Sequence, residues 1–145
     1  MTKPQRVIIL SAAAVLILSL FPFQQTVAPK WEVTTLDANR RPLSGITVRE
    51  VWQQYSLENL SHEEDRLTDT NGQVNFPRRI YRSNFVTRFF SCVQQVARLG
   101  VHASCGPKSY LVAFGKGVDT MDWVDLSQEE GSASNWQRST LVLKR

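Results

Sequence analysis

The sequence predicts a mainly β domain, a sandwich of about seven short strands with one inserted amphipathic helix, preceded by an N-terminal apolar helix. Three observations lead to this prediction. Short runs of alternating apolar and polar residues, separated by turn residues, recur along residues 29–145. Residues 84–98 repeat their apolar residues at helical spacing instead. An uninterrupted apolar run precedes both, and it divides the 145 residues into a signal peptide or membrane anchor (residues 1–28) and one domain (residues 29–145).

The apolar run covers residues 7–23, seventeen residues without a charge, and follows Lys3 and Arg6. Basic residues before an apolar run orient the N-terminus towards the cytoplasm and send the rest of the chain outward. The run is long for a signal peptide and short for crossing about 30 Å of hydrocarbon. The best cleavage position follows Ala28, but Pro29 fits a protease cleft poorly. We therefore expect an extracytoplasmic protein that is anchored in the cytoplasmic membrane, in preference to a secreted or periplasmic one.

The strands before the helix are predicted from alternation. Residues 31–36 read as a first strand and residues 46–55 as a second. Two shorter runs, residues 66–69 and 73–76, flank an Asn-Gly pair at residues 71–72. Asn-Gly between two such runs predicts a β-hairpin with a type I′ turn, because that turn needs positive φ at both central residues.

The helix is predicted with Ser83 as its N-cap and Gly100 at its C-terminal end. Its apolar side consists of Phe85, Val86, Phe89, Phe90, Val93, Val96 and Ala97. We expect this side to pack on the sheet. A contact with a membrane surface is the alternative, since Arg88 and Arg98 flank the aromatic residues. Strands at residues 110–114, 118–126 and 136–143 would complete the sandwich.

Charge argues against a nucleic-acid partner. The formal net charge is +4, and Lys3 and Arg6 before the apolar run contribute to it, whereas nucleic-acid binding calls for a concentrated basic face. No Asp or Glu lies between Asp69 and Asp119. The arginines of this stretch are Arg78, Arg79, Arg82, Arg88 and Arg98. We expect a solvated basic face there, the alternative being a surface for acidic polymers or anionic lipid headgroups.

Cys92 and Cys105 are the two cysteines of the chain. Cys92 lies roughly 10 Å from the end of the predicted helix at the helical rise per residue. The residues after Gly100 can run back about 17 Å if they are extended, so the two sulfurs can meet. In an exported protein we expect a disulfide between them, with two free buried thiols as the alternative.

The two histidines, His62 and His102, predict neither a metal site nor a cofactor. His62 lies in an acidic loop that lacks the spacing of a metal cage. A nucleophilic pair of His102 and Cys105 would need an unpaired, exposed thiol. We therefore predict no catalytic residues.

Four tryptophans in an extracytoplasmic sandwich suggest sugar binding as a second hypothesis, since flat aromatic faces stack on pyranose rings. Trp31, Trp52 and Trp136 lie on predicted strands and are expected in the core. Trp123, among several aspartates, is the best candidate for an exposed ligand-binding residue.

Two segments carry a family resemblance. The first is Asp37 with Pro42-Leu43-Ser44-Gly45-Ile46 and Val48, and the second is Thr68-Asp69-Thr70-Asn71-Gly72-Gln73-Val74 with Phe76-Pro77. These residues resemble the carboxypeptidase regulatory-like domain family, which implies a prealbumin-like (transthyretin-like, Ig-like) β-sandwich for the domain. Asn39 and Arg40 stand where many members have Gly.

Enzymes with related folds match this sequence poorly. Hydroxyisourate hydrolases of the transthyretin family end in Tyr-Arg-Gly-Ser, whereas this sequence ends in Leu-Val-Leu-Lys-Arg. Intradiol dioxygenases hold iron with two Tyr and two His, and His62 and His102 lack their His-x-His arrangement. Our leading hypothesis is therefore a non-catalytic, exported or membrane-anchored module that binds or scaffolds in the cell envelope, with the membrane as partner through residues 7–23 and a protein or glycan as a further partner. The alternatives are a carbohydrate-binding module and an enzyme of unrecognised type on a transthyretin-like fold.

Overall fold

The computed structural model describes residues 3–116, 118, 122–125 and 136–144. The described residues are mainly β, as the sequence predicts. The predicted strand at residues 118–126 lies partly outside them. The elements in chain order are α1 (Lys3–Leu20), β1 (Phe23–Ala28), β2 (Lys30–Asp37), β3 (Thr47–Gln54), β4 (His62–Leu67), β5 (Gln73–Phe76), β6 (Arg79–Ser83), α2 (Phe85–Leu99), a 3₁₀ turn (Gly100–His102), β7 (Pro107–Phe114), β8 (Asp122–Asp125) and β9 (Trp136–Leu143).

The strands form a two-stranded, a three-stranded and a four-stranded sheet, with the orders β1-β6, β5-β2-β9 and β4-β3-β7-β8. β2 and β9 run parallel, from Lys30 opposite Trp136 to Asp37 opposite Leu143. The other named pairs are antiparallel. Strands distant in sequence are therefore neighbours in each sheet.

One core is shared by the three-stranded and the four-stranded sheets. Its buried members are Ala28, Trp31, Val33, Leu43, Ile46, Val48, Val74, Phe76, Leu111, Ala113, Leu141 and Leu143. The alternation of β2, with Trp31 and Val33 buried between more exposed neighbours, places one face of the strand in this core. Each large side chain that is fully buried contributes about 1.5–3 kcal/mol relative to exposure. Trp31 is in the core as predicted, and Trp52 packs against it while half-buried.

β1 belongs to the folded part of the chain. It pairs with β6 from Phe23 opposite Ser83 to Ala28 opposite Arg79, and Val27 and Ala28 are buried. A cleavage after residue 28 would remove this whole strand. The last residue of the apolar run, Phe23, is also the first residue of this strand.

The two segments that carry the family resemblance are hydrogen-bonded to each other. The Oγ1 of Thr68 donates to the carbonyl of Leu43 at 2.8 Å and accepts the N–H of Ile46 at 3.0 Å. The N–H of Thr35 donates to the carbonyl of Gly72 at 2.8 Å, and its carbonyl accepts the N–H of Leu43 at 3.0 Å. Because Thr35 belongs to the three-stranded sheet and Thr68 follows β4 of the four-stranded sheet, this network joins the two sheets.

The predicted hairpin is wrong. β4 pairs with β3 and β5 pairs with β2, so the turn at residues 69–72 carries the chain from one sheet to the other. In this turn Gly72 has a positive φ of 71°, whereas Asn71 does not have a positive φ. The carboxylate of Asp69 accepts the N–H groups of Asn71 and Gln73, each at 2.8 Å. This Asp-centred turn takes the place of type I′ geometry.

The helix prediction holds in its extent but not in its N-cap. Asn84 caps α2, because its side-chain oxygen accepts the N–H of Thr87 at 2.7 Å. Ser83, the predicted cap, is the last residue of β6. Gly100 ends the helix with a φ of 58°, which a residue without Cβ adopts readily.

The prediction that the apolar side of α2 packs on the sheet is wrong. No residue of α2 is buried, and Phe85, Phe89 and Phe90 are exposed. The physical reason is that polar side chains of the helix, Arg88 and Gln95, make its contacts with the domain. Among the described residues, no helix is both long and apolar enough to cross a membrane.

We predict that Gly72→Ala destabilises the protein by about 3 kcal/mol, because strain at positive φ and overpacking add together. A Cβ at Gly72 would lie 2.6 Å from the carbonyl oxygen of Thr35 and 3.0 Å from the nitrogen of Leu43. Gly45→Ala is the matched control, since Gly45 has the same φ of 71° but open space around its Cβ position. Urea unfolding should give the control a loss of about 1–2 kcal/mol. Equal losses for the two variants would contradict the prediction.

Candidate functional site

A cluster of polar and aromatic side chains lies where β6 meets β3 and β4. We call it the Trp52 cluster, and its members are Glu50, Trp52, Glu58, His62, Glu64, Arg79 and Tyr81. β3 supplies Glu50 and Trp52, and β4 places His62 opposite Trp52 and Glu64 opposite Glu50. The cluster borders a depression of about 360 Å³.

Arg79 is the centre of the buried part of the cluster. Its Nε and Nη2 donate to Oε2 of Glu50 at 3.0 and 2.8 Å, and Nη2 also donates to Glu64. The guanidinium carbon lies 4.1 Å from the centroid of the Trp52 ring, within the range of a cation–π interaction. The contacts bind β6 to the four-stranded sheet.

Glu50 is fully buried beneath Arg79. Burial raises the pKa of its carboxyl group to about 7, although the hydrogen bonds from Arg79 act in the opposite direction. Its Oε1 has no hydrogen-bond partner among the residues that the structure describes. A buried carboxylate that is paired on one oxygen only is costly to keep ionised.

The outer part of the cluster is built around Glu58. Its carboxylate accepts the backbone N–H of Gln54 at 2.9 Å and lies 2.6 Å from Nε2 of His62. Burial acts to raise the pKa of Glu58, but these hydrogen bonds and one from Tyr81 outweigh it and hold the pKa below its usual value. The same hydrogen bond raises the pKa of Tyr81. The His62 ring also stacks on Trp52, with a centroid distance of 5.5 Å and an interplanar angle of 18°.

The charged groups of the cluster therefore mainly bind one another. Trp52 contacts both His62 and Arg79, so part of its ring surface is already occupied by side chains of the cluster. Among the described residues, no group of three or more His, Cys, Asp or Glu could hold a metal ion. The geometry supports a structural role for the Trp52 cluster.

Sequence reasoning missed the Trp52 cluster, although one signal was available. The alternation of β3 places Glu50 between Val48 and Trp52 on the inward face. A carboxylate at such a position needs a basic partner. The identity of that partner, Arg79, depends on tertiary structure.

A second feature is the attachment of α2 to the domain by its polar side. Cys92 and Cys105, the pair that the sequence predicts, form a disulfide in the structure, with 5.1 Å between their Cα atoms. The carbonyl of Cys105 accepts the hydroxyl of Ser56 at 2.6 Å. Gln95, one turn of α2 beyond Cys92, donates to the carbonyl of Tyr55. The disulfide therefore fastens the middle of α2 to the segments beside β3 and β7.

Arg88 fixes the first half of α2. Its Nε donates to the hydroxyl of Ser83 at 2.5 Å, and its Nη1 donates to the side chain of Gln25 on β1. The guanidinium carbon lies 4.1 Å from the ring centroid of Phe23. A basic residue that the sequence places beside the aromatic stripe thus binds the domain.

Next to the side that contacts the domain lies an apolar and exposed side of the helix, which we call the apolar face of α2. Its members are Phe85, Phe89, Phe90, Val93, Val96 and Leu99. Their exposed fractions lie between 49% and 64%. The rings of Phe85 and Phe89 stack at 6.2 Å, and Phe90 meets Phe89 edge-on at 5.6 Å. α1 contacts α2, and its apolar side chains are exposed as well.

The remaining predicted residues lie apart from these two features. Trp123, the proposed sugar-binding residue, is opposite Val112 in the β7–β8 register, and its side chain is outside the described residues. Trp136 is opposite Lys30 at the start of β9, and its side chain is likewise outside them. His102 is exposed in the 3₁₀ turn. The disulfide leaves Cys105 without the free thiol that a nucleophile would need.

Comparison with known proteins gives a likeness of fold only. A 3-chlorocatechol 1,2-dioxygenase from Rhodococcus opacus 1CP is similar with a TM-score of 0.50 and 13% identity, over 80% of this chain and 59% of that one. A 9R-lipoxygenase from Cyanothece PCC8801 has a TM-score of 0.40 and 13% identity, over 79% of this chain and 16% of that one. This chain therefore spans less than two thirds of either protein. No protein-family model matches the sequence, and no curated protein is significantly similar to it.

We predict that Glu50 makes the protein less stable as pH rises from about 4.5 to about 7. The folded state holds the Glu50 proton in this window whereas the unfolded state has released it, so the free energy of unfolding falls with pH. The full effect amounts to about 3 kcal/mol. Glu50→Gln carries no such proton, and the difference in unfolding free energy between this variant and the wild type should change with pH by about that amount.

Glu63→Gln is the control, because Glu63 is a half-exposed neighbour on β4 that pairs with Arg49 at the surface. Urea unfolding at a series of pH values measures each difference. The control should keep the wild-type pH dependence across this window. A Glu50→Gln variant with the wild-type pH dependence would show that Glu50 is ionised in the folded protein near its ordinary pKa.

Proposed function

We propose that this protein is a non-catalytic module of the cell envelope, held at the outer side of the cytoplasmic membrane by its N-terminal helix, where it binds or scaffolds another envelope component. The proposal includes a prealbumin-like sandwich for the β domain. The observation that carries it is the exposed apolar surface formed by α1 and the apolar face of α2.

This surface is large for a protein that would otherwise be surrounded by water. Leu18 on α1 is 73% exposed and Phe90 on α2 is 64% exposed, and the two helices are in contact. Contiguous apolar patches of more than a few hundred Å² mark sites of protein or membrane interaction. The basic residues before the apolar run favour a membrane, with the β domain outside.

The Cys92–Cys105 disulfide supports a location outside the cytoplasm. Structural disulfides persist in oxidising environments outside the cytoplasm and are rare within it. A pairing that holds α2 to the domain is of this structural kind, since it fixes an element that has no buried side chain.

The chemistry of the described side chains supports a non-catalytic role. The candidate nucleophile Cys105 is in a disulfide, and His62 is held between Glu58 and the ring of Trp52. The shared core of the two larger sheets and the fold likeness to the dioxygenase support the sandwich. The resemblance to carboxypeptidase regulatory-like domains is supported by the hydrogen bonds that join its two segments, residues 43–46 and residues 68–72.

The test is fractionation of bacterial cells that express the full chain. We predict that the protein sediments with the membranes and resists extraction by salt. A variant with Leu10→Lys and Leu16→Lys should move to the soluble fraction, because each charge at the centre of an inserted helix costs about 2.5–3.5 kcal/mol. Both residues are exposed on α1, at 69% and 59%, so the β domain should keep its fold.

The matched control carries Leu60→Lys and Leu67→Lys, two leucines of the β domain that are 80% and 67% exposed. It should remain with the membranes. A wild-type protein in the soluble fraction would refute the membrane attachment. An intact mass that lacks residues 1–28 would refute the retained anchor.

A further inference from the structure

The geometry points to a second membrane contact, in which α2 lies in the plane of the membrane with its apolar face among the acyl chains and the exposed arginines near its two ends, Arg82 and Arg98, close to anionic headgroups. This inference rests on the proposed function, because α1 must bring the domain to a membrane. It assigns a specific lipid-binding role to a helix that is separated in sequence from the apolar run.

The carrying observation is that α2 leaves its apolar stripe exposed, unlike an ordinary surface helix. A surface helix normally turns its apolar stripe to the core and its polar residues to water. In α2 the half-buried positions that contact the domain include Arg88, Cys92 and Gln95. The phenylalanines of the apolar face, by contrast, are all more than half exposed.

This orientation is fixed by specific bonds. The disulfide at Cys92, the hydrogen bonds of Arg88 and the hydrogen bond of Gln95 all lie on one side of the helix axis. Rotation of α2 to bury Phe89 would break each of them. The exposed apolar face is therefore built into the fold, and it needs an apolar partner from outside the domain.

Continuity with α1 favours lipid as that partner. α1 contacts α2, so two helices that both carry exposed apolar side chains are neighbours in the fold. An amphipathic helix in the interface buries its apolar face about 5–10 Å deep at the boundary of headgroups and acyl chains. Phe85, Phe89 and Phe90 provide the bulky apolar side chains that such helices use.

Charge favours a lipid surface over a second copy of this chain. Arg98 is exposed in the last turn of α2, and Arg82 is exposed close before its start. No acidic residue occurs at residues 70–118. Two copies joined through their α2 faces would bring these arginines together without acidic partners, whereas anionic headgroups would neutralise them.

The test is hydroxyl-radical footprinting of the full chain with and without vesicles of mixed phosphatidylglycerol and phosphatidylcholine. Oxidation of Phe85, Phe89 and Phe90 reports on α2, and oxidation of the leucines at residues 10–20 reports on α1. We expect protection of both sets with these vesicles. Vesicles of phosphatidylcholine alone should protect α2 less, because basic residues beside the helix contribute to the affinity only when the lipid is anionic.

Substitutions in α2 measure its contribution to vesicle affinity. Phe89→Ser with Phe90→Ser should weaken binding of the full chain to the mixed vesicles by at least about tenfold, because each phenylalanine is withdrawn from water on insertion. Leu60→Ser with Leu67→Ser is the matched control and should leave the affinity unchanged. Arg98→Gln should weaken binding to the mixed vesicles by about fivefold and binding to the neutral vesicles hardly at all.

The outcomes separate this inference from the proposed function. Protection of α1 without protection of α2 would overturn the inference and leave membrane attachment intact. Absence of protection from both helices would overturn both proposals. Protection of α2 that needs no vesicles and increases with protein concentration would identify a second copy as the partner, and it would also overturn the inference.

Discussion

The relative position of the two larger sheets depends on a small set of buried hydrogen bonds. Thr68 binds both Leu43 and Ile46, and Thr35 binds Leu43 and Gly72. Their oxygens and amides are buried with apolar neighbours, so an unpaired group here would cost about 1–3 kcal/mol. The network leaves few alternatives for the path of the chain between β2 and β3 or between β4 and β5. The apolar residues of the shared core pack between the two sheets that this network joins.

The smaller elements are attached to this framework by polar contacts. Arg79 connects β6 to Glu50 and Glu64, and β6 leads directly into α2. Arg88 then returns from α2 to β1, the partner strand of β6. One ribbon, β1 with β6, therefore carries both α1 and α2. The ribbon is attached to the larger sheets by Arg79 with its two carboxylates and by the buried Val27 and Ala28 of β1, whereas the apolar surfaces of the two helices stay exposed.

The sequence predicts well what depends on local chemistry. The extents of β2, β3 and α2, the stop at Gly100 and the cysteine pairing follow from alternation, helical spacing and chain reach. Which strands pair with each other does not follow from these local signals. The Asn71-Gly72 pair suggests a hairpin, but Asp69 stabilises a different turn with its own side chain, and the strands beside it then join separate sheets. Arg40 adopts a positive φ of 61°, a conformation for which sequence alone would select Gly.

The orientation of α2 on the domain depends on contacts that the helical period of its sequence does not reveal. The helical period identifies an apolar and a polar side, but it does not determine which of them the domain contacts. That choice depends on Cys105, Gln25 and Tyr55, which the fold brings beside the polar side. Apolar burial contributes little to holding α2 when the protein is in water, so the disulfide and the arginine must hold it. At a membrane the same bonds would act as pre-organisation: the apolar face is already turned outward, and its burial in lipid would not first require the helix to leave the domain.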